Sequence, residues 1–303
     1  MIVADLTDVD LALRMARPGL RLRTGPVVTV IRSSVRSVVQ GIRLHYSQYP
    51  VEPTDGFADF HVTVSPARGI RRFIRPQVYF HFEGDESFHP LPFGQAFPML
   101  EWGLNWCVSS HCHQYVIVHS AVVARHGRAV VLPAPSGSGK STLCAALTLG
   151  GWRLLSDELA LLDPATGAVL PIPRPISLKN ASIDAIRAFS SDAVLGPAVH
   201  ETTKGTVAHM KPSAASVMAA SEPARPAWVV FPRYAPGAAA EMSPLSKAQA
   251  FMRLVDNAFN YDIQGRRGFE ALADMVDASG CFEFSYSRLD EAVAAFDALS
   301  GAE

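Results

Sequence analysis

The stretch Leu132-Pro133-Ala134-Pro135-Ser136-Gly137-Ser138-Gly139-Lys140-Ser141-Thr142 narrows the possible folds of this chain more than any other. Ahead of it Arg128-Ala129-Val130-Val131-Leu132 has the composition of a buried strand, and behind it Thr142-Leu143-Cys144-Ala145-Ala146-Leu147 reads as the first turns of a helix. Strand, glycine loop and helix in that order make a phosphate-binding loop. Gly137 and Gly139 let the backbone turn its amides inward, and the helix N-terminus adds partial positive charge. Lys140 is placed to reach the β- and γ-phosphates of ATP, and the Ser141 hydroxyl to hold Mg²⁺. Ser136, Gly137, Ser138, Gly139, Lys140, Ser141 and Thr142 are therefore the expected nucleotide-binding residues. Ala134 stands where such loops usually carry their first glycine, so the loop entry, flanked by Pro133 and Pro135, is expected to avoid φ > 0.

A chain of 303 residues can bury a real core, and 49% hydrophobic with 18% charged residues describes a folded globular protein. The formal net charge of -1 provides no electrostatic attraction for nucleic acid or an anionic membrane, and neither is expected as a partner. No apolar run reaches the length of a membrane helix, and a start carrying Asp5, Asp8 and Asp10 lacks the basic and apolar blocks of a signal peptide. The expectation is a cytoplasmic protein. Four cysteines do not make a disulfide framework. The cluster Cys107, His111, Cys112, His113 suggests a metal site, but no second ligand pair with zinc spacing follows, and buried thiols at the end of a packing helix are the better reading.

Taken in order, residues 1–94 form an expected small, sheet-rich α+β N-terminal unit with strands at 27–31, 60–64 and 78–82. Its basic run Arg68, Arg71, Arg72, Arg75 reads as a solvated edge. Residues 95–303 form the second unit, entered through a helix over Phe97 to Cys112. Two apolar runs, Tyr115 to Ala124 and Arg128 to Leu132, are separated by Arg125-His126-Gly127, which predicts a hairpin directly before the loop. A second hairpin follows, with Trp152 to Leu162 turned back by Asp163-Pro164-Ala165-Thr166-Gly167. Hairpins where a parallel fold would use crossover helices predict a mixed sheet. Ser182 is expected to cap a short helix with Ile183, Ile186 and Phe189 inward, and residues 191–226 to form a loop region. Trp228 to Phe231 reads as a buried strand, Phe251, Leu254, Val255, Ala258 and Phe259 as one helix face, and Phe269, Leu272, Met275 and Val276 as another. A last strand at 282–286 and a terminal helix through Leu299 complete the chain.

Phosphoryl transfer needs a cation at the phosphates, a positioned nucleophile, and positive charge where negative charge accumulates. Asp157-Glu158 ends the apolar strand after the loop helix, which suits metal and proton chemistry. Adjacent side chains of a regular strand point to opposite faces, so the two acids share a task only where the strand ends between them. Arg174, Lys179 and Lys204 are further available cations.

The run from His119-Ser120-Ala121-Val122 through Ser136-Gly137-Ser138-Gly139-Lys140-Ser141 to Gly151-Trp152-Arg153-Leu154-Leu155-Ser156-Asp157-Glu158 resembles the C-terminal kinase domain of HPr kinase/phosphorylase, most closely the group called HprK-related kinase A. The resemblance implies an α/β, mixed-sheet phosphate-loop kinase fold related to phosphoenolpyruvate carboxykinase. It also implies ATP- and Mg²⁺-dependent phosphorylation of a serine on a small protein or peptide, and a homo-oligomer. Carried over by position, it makes Asp157 the general base, Glu158 with Ser141 the metal side, and His119 a neighbour of the phosphates. Thr203-Lys204-Gly205 answers to the family's Glu-Ile-Arg-Gly motif, with Lys204 for the arginine, which loses a bidentate fork. Glu158 for a second aspartate, Ala134 for the first glycine, and the missing Glu-Ile-Arg-Gly run argue against assuming HPr itself as the acceptor. Two other functions stay open on these residues: a small-molecule kinase, and a nucleotide-binding regulator that transfers no phosphate.

Overall fold

The computed structural model describes residues 1–301, so the last two residues of the second expected unit lie outside it. The N-terminal part contains α1 (Asp8–Ala16), β1 (Leu20–Thr24), β2 (Val27–Ser33), α2 (Arg36–His45), β3 (Phe60–Pro66), β4 (Gln77–Phe82) and the short strands β5 (Asp85–Glu86) and β6 (Leu91–Pro92). Their sheet runs β1-β2-β3-β4-β5 with β6 on β4, and only β2 and β3 pair in parallel. Period-2 patterning is plainest in β3, where Phe60, Val62 and Val64 are buried and His61, Thr63 and Ser65 are half-exposed. β1, built from Leu20-Arg21-Leu22-Arg23-Thr24, was not anticipated from sequence.

Helix α3 (Ala96–His111) joins the two halves. Apolar nearly all round, it is the kind of helix that must be covered on several sides. Phe97, Leu100, Leu104, Cys107 and Val108 share one core with Val62, Val64 and Phe80 of the N-terminal sheet and with Ile117, Leu159 and Leu161 beyond it. Gly103 admits the Phe80 ring and Gly41 of α2 admits Phe97, so helix and sheet approach closely where a side chain would block them. The helix placed at the start of the second unit by sequence therefore packs into the first as well.

Beyond α3 come β7 (Val116–Arg125), β8 (Arg128–Pro133), α4 (Lys140–Leu149), β9 (Arg153–Ser156), β10 (Leu159–Leu162), β11 (Val169–Leu170), β12 (Ile176–Lys179) and α5 (Ala181–Phe189). They are followed by β13 (Val199–Thr202), β14 (Gly205–Met210), α6 (Ala214–Met218), β15 (Arg225–Tyr234), β16 (Glu241–Pro244), α7 (Lys247–Asp256), α8 (Tyr261–Gln264), α9 (Arg266–Ala278), β17 (Gly280–Tyr286) and α10 (Leu289–Gly301). The main sheet has the order β11-β10-β7-β8-β15-β17-β16, with β9 also on β7. β8, β15 and β17 run parallel, whereas β7 is antiparallel to β8, β9 and β10. The mixed α/β sheet expected from the two hairpins is present. The first closes through His126 and Gly127, both at positive φ, which matches a tight turn between twisted strands.

Side chains alternate across β7. Ala121 and Val123 face a core with α4, α5 and α10, while Val122 and Ala124 face one with α7 and α9. The sheet is thus covered on both faces, which explains why its central strands read as continuous apolar runs.

Three expectations are corrected. Residues 191–226 are not a loop region: β13 and β14 form a hairpin that pairs with β12, and α6 follows. The signal was masked because Val207, Ala208, His209 and Met210 are all buried on a short strand without polar alternation. Ser182 is not the cap of α5; Asn180 holds that position, and the Ser182 hydroxyl bonds the Lys179 backbone instead. The helical face of Phe251 ends early, since α7 stops at Asp256, and Phe259 and Phe269 remain half-exposed. Among the described residues, no helix is long and apolar enough to cross a membrane.

A methyl on Gly103 would fall inside the van der Waals envelope of the Phe80 ring. Overpacking of this kind costs about 1–3 kcal/mol, more than the roughly 1 kcal/mol gained in helix propensity. Gly103→Ala is expected to lower the urea midpoint with an unchanged m-value.

Candidate active site

The loop between β8 and α4 takes the conformation its glycines permit. Gly137 and Gly139 have φ of +89° and +90°, whereas Ala134 is buried and has no positive φ, so the chain does not need a glycine there. Two strands parallel to β8 hold the loop from the side. The Tyr234 amide at the end of β15 donates to the Ser138 carbonyl at 2.9 Å, and the Tyr286 hydroxyl at the end of β17 donates to the Gly139 carbonyl at 2.9 Å. A β-carbon on Gly139 would lie 2.5 Å from that hydroxyl and 2.9 Å from Tyr234 Cβ. Both tyrosines sit at the carboxyl ends of parallel strands, where ligands of α/β sheets commonly bind. Neither was singled out from sequence.

Behind the loop Lys140 is only 5% exposed, and its ammonium has no hydrogen-bond partner among the described residues. Burial pushes its pKa down to about 8 against the attraction of Asp157 and Glu158. The Ser138 hydroxyl is likewise buried and unpartnered.

The acids occupy a break in one long strand. β9 ends at Ser156, opposite Val122, and β10 resumes at Leu159, opposite His119. Asp157 and Glu158 fill the gap, where the Ser120 amide donates to the Glu158 carbonyl at 3.3 Å. The interruption frees both side chains from strict alternation, the condition for them to serve one site. Asp157 is 5% exposed; its Oδ2 accepts from the Ser177 amide at 3.0 Å, while Oδ1 has no partner. Burial, reinforced by Glu158 and opposed by Lys140, raises its pKa to about 6. For Glu158 burial also acts upward, but Lys204, Lys179, Lys140 and His119 together outweigh it and hold the carboxyl below its usual range. Glu158 Oε2 accepts from Asn105 Nδ2 at 2.7 Å.

A cavity of about 380 Å³ opens over the loop. Ser136 to Thr142, Lys179, His119 and Glu158 line it on one side, and Tyr234, Tyr286 and residues of α5 on another. His119 is neutral near pH 7, because burial, then Lys140, Lys179 and Lys204, lower its pKa to about 4 against Glu158. Most of the sequence-predicted residues thus converge. Asp157 does not line this cavity; it borders a narrow polar space of about 20 Å³ behind Glu158. Lys204 stands on the β13–β14 turn with its ammonium 5.1 Å from the centre of the Trp102 ring, outside the cavity lining but within electrostatic reach of Glu158. Arg174, expected as a free cation, is instead buried against Glu101 with Nη2–Oε2 at 2.7 Å.

The donor set suits a phosphate and a divalent cation. A loop turned by two positive-φ glycines, a buried unpaired ammonium and a buried unpaired hydroxyl suit phosphate oxygens. The free Oδ1 of Asp157 near Ser141, with Glu158 beside it, offers hard oxygen ligands.

No family model matches the sequence, and no curated protein is similar to it at a meaningful level. Among solved structures the chain is similar to the Hpr(Ser) kinase/phosphatase from Coxiella burnetii, at 10% identity and a TM-score of 0.27, over 62% of this chain and 99% of that one. At that distance the chemistry must be argued from the residues present.

Asp157 links the site to stability. Its folded pKa of about 6 exceeds the unfolded value of about 3.9, so the folded state holds the proton more tightly. Its contribution therefore favours folding below about pH 4 and is lost as pH rises through 6, leaving an ionised group that costs on the order of 3 kcal/mol at neutral pH. Asp157→Asn, which keeps an acceptor for Ser177, is expected to melt higher than wild type at pH 7 and at nearly the same temperature at pH 4, as measured by calorimetry.

Proposed function

We propose that this chain is an ATP- and Mg²⁺-dependent kinase that transfers the γ-phosphate to a serine hydroxyl of a small protein or peptide. The buried, unpartnered Lys140 ammonium behind a loop with two positive-φ glycines, within reach of two carboxylates in a strand break, carries the reading. In it, the backbone of Ser136 to Thr142 cradles the phosphates and Lys140 attracts the transferred phosphoryl oxygens. Ser141 and one of the acids hold Mg²⁺, which when bound neutralises phosphate charge. His119, neutral at physiological pH, hydrogen-bonds at the phosphate end, and Lys179 and Lys204 add positive charge as negative charge develops.

Asp157 takes the serine proton in this proposal and Glu158 stands on the metal side. A carboxyl with a pKa of about 6 accepts a proton near neutral pH with useful driving force, which supports Asp157 as the base. One observation favours exchanging the two roles: Glu158 lines the cavity and Asp157 does not.

The experiment is incubation with labelled ATP and the proteins encoded beside this gene, followed by mass spectrometry of the modified residue. A phosphoserine is the expected product. Transfer to low-molecular-weight hydroxyls alone would make the chain a small-molecule kinase, and ATP binding without any transfer a regulator. Lys140→Ala is expected to abolish transfer and weaken ATP binding. Asp157→Asn is expected to reduce transfer by at least about 100-fold while ATP binding, measured by titration calorimetry, persists. Full activity of Asp157→Asn together with loss in Glu158→Gln would move the base to Glu158.

A further inference from the structure

A buried hydrogen-bonded chain runs from the N-terminal part of the molecule into the candidate site. The Tyr46 hydroxyl, at the end of α2, donates to Glu101 Oε1 at 2.7 Å. Glu101 Oε2 accepts from Arg174 Nη2 at 2.7 Å, and the Glu101 carbonyl accepts from the same nitrogen at 2.8 Å. Arg174 Nη1 donates to Asn105 Oδ1 at 2.8 Å, and Asn105 Nδ2 donates to Glu158 Oε2 at 2.7 Å. Tyr46, Glu101 and Arg174 are all less than a tenth exposed.

The chemistry of the chain dictates its direction. A guanidinium has only donors and an ionised carboxylate only acceptors, so the amide between them satisfies both in one orientation, oxygen to Arg174 and nitrogen to Glu158. Arg174 cannot swing away to release that orientation, since Glu101 holds it through two oxygens in a buried pair whose rupture would leave an uncompensated charge. Glu101 and Asn105 are four residues apart on α3 and so share one face of the helix. That helix is fixed against the N-terminal sheet where Phe80 meets Gly103.

We propose that Asn105 is a positioning residue for Glu158, locked by Arg174 and Glu101, and that through α3 the N-terminal part of the chain sets the place of this site carboxylate. Asn105 does not itself line the cavity and meets its lining through Glu158. Its effect on catalysis runs through Glu158 whether that acid serves the metal or the proton, and this consequence rests on the phosphotransfer reading.

Asn105→Asp separates positioning from packing, because it matches the asparagine in size and keeps an oxygen for Arg174 while replacing the donor facing Glu158 with a carboxylate. Loss of a charge-assisted hydrogen bond is expected to slow transfer about 10- to 100-fold, with the dissociation constant for ATP unchanged. The same substitution is expected to cost nothing further in a Glu158→Gln background. Asn105→Leu, which removes the donor without adding charge, should behave alike and serves if the aspartate variant fails to fold. Full additivity with Glu158→Gln, or parallel losses in transfer, ATP affinity and melting temperature, would overturn the proposal. A second readout needs no turnover: the Asn105 side-chain amide protons should exchange slowly with solvent in wild type and change chemical shift in Glu158→Gln. If they do so while no phosphate acceptor is found, the phosphotransfer reading falls and the positioning contact stands; if they ignore Glu158, the positioning contact itself is refuted.

Discussion

An ammonium group taken out of water without a hydrogen-bond partner is costly, and much of this molecule is arranged around one. Lys140 begins the helix after the loop and is buried beneath it, facing Asp157 and Glu158. The two carboxylates offset its desolvation only because the strand that bears them is broken between Ser156 and Leu159. The break in turn lies against β7, the strand that also forms the hairpin leading to the loop. Loop, lysine and acids are therefore joined through three strands of one sheet, and the site inherits the rigidity of that sheet's two-sided core.

The electrostatics divide the acids by environment rather than by residue type. Asp157 is buried and held near the middle of the titration range, whereas Glu158 meets Lys204, Lys179 and Lys140 and stays ionised. Environments that push two neighbouring carboxyls apart in this way are a common means of giving them different tasks.

Legibility in the sequence followed the range of the interaction. The glycine loop, both hairpins and the mixed sheet were readable because glycines at special φ and apolar runs are local signals. The Asp157-Glu158 pair was legible as an acidic strand end, but the strand break that frees both side chains was not, because it depends on pairing with β7. Asn105 was invisible for a different reason: it sits on an apolar helix whose composition announces packing, and its partners lie 53 and 69 positions away. Tyr234 and Tyr286 resemble ordinary strand-end aromatics until β15 and β17 are seen beside β8. The β13–β14 hairpin was missed because Val207 to Met210 are buried in succession on a short strand, so no alternation of period 2 marked it.

The fit of α3 against the N-terminal sheet has a consequence for how the molecule can be divided. With Gly103 pressed to Phe80 and Gly41 to Phe97, the helix is geared to its neighbours and cannot slide without dragging Asn105 along. A cut just before this helix would strip the cover from Leu100, Leu104 and Cys107 and take away the Tyr46 end of the polar chain. The half that carries the glycine loop is thus not a free-standing module bolted to an accessory, and through the proposed positioning contact strain applied to the outer sheet would displace the carboxylate.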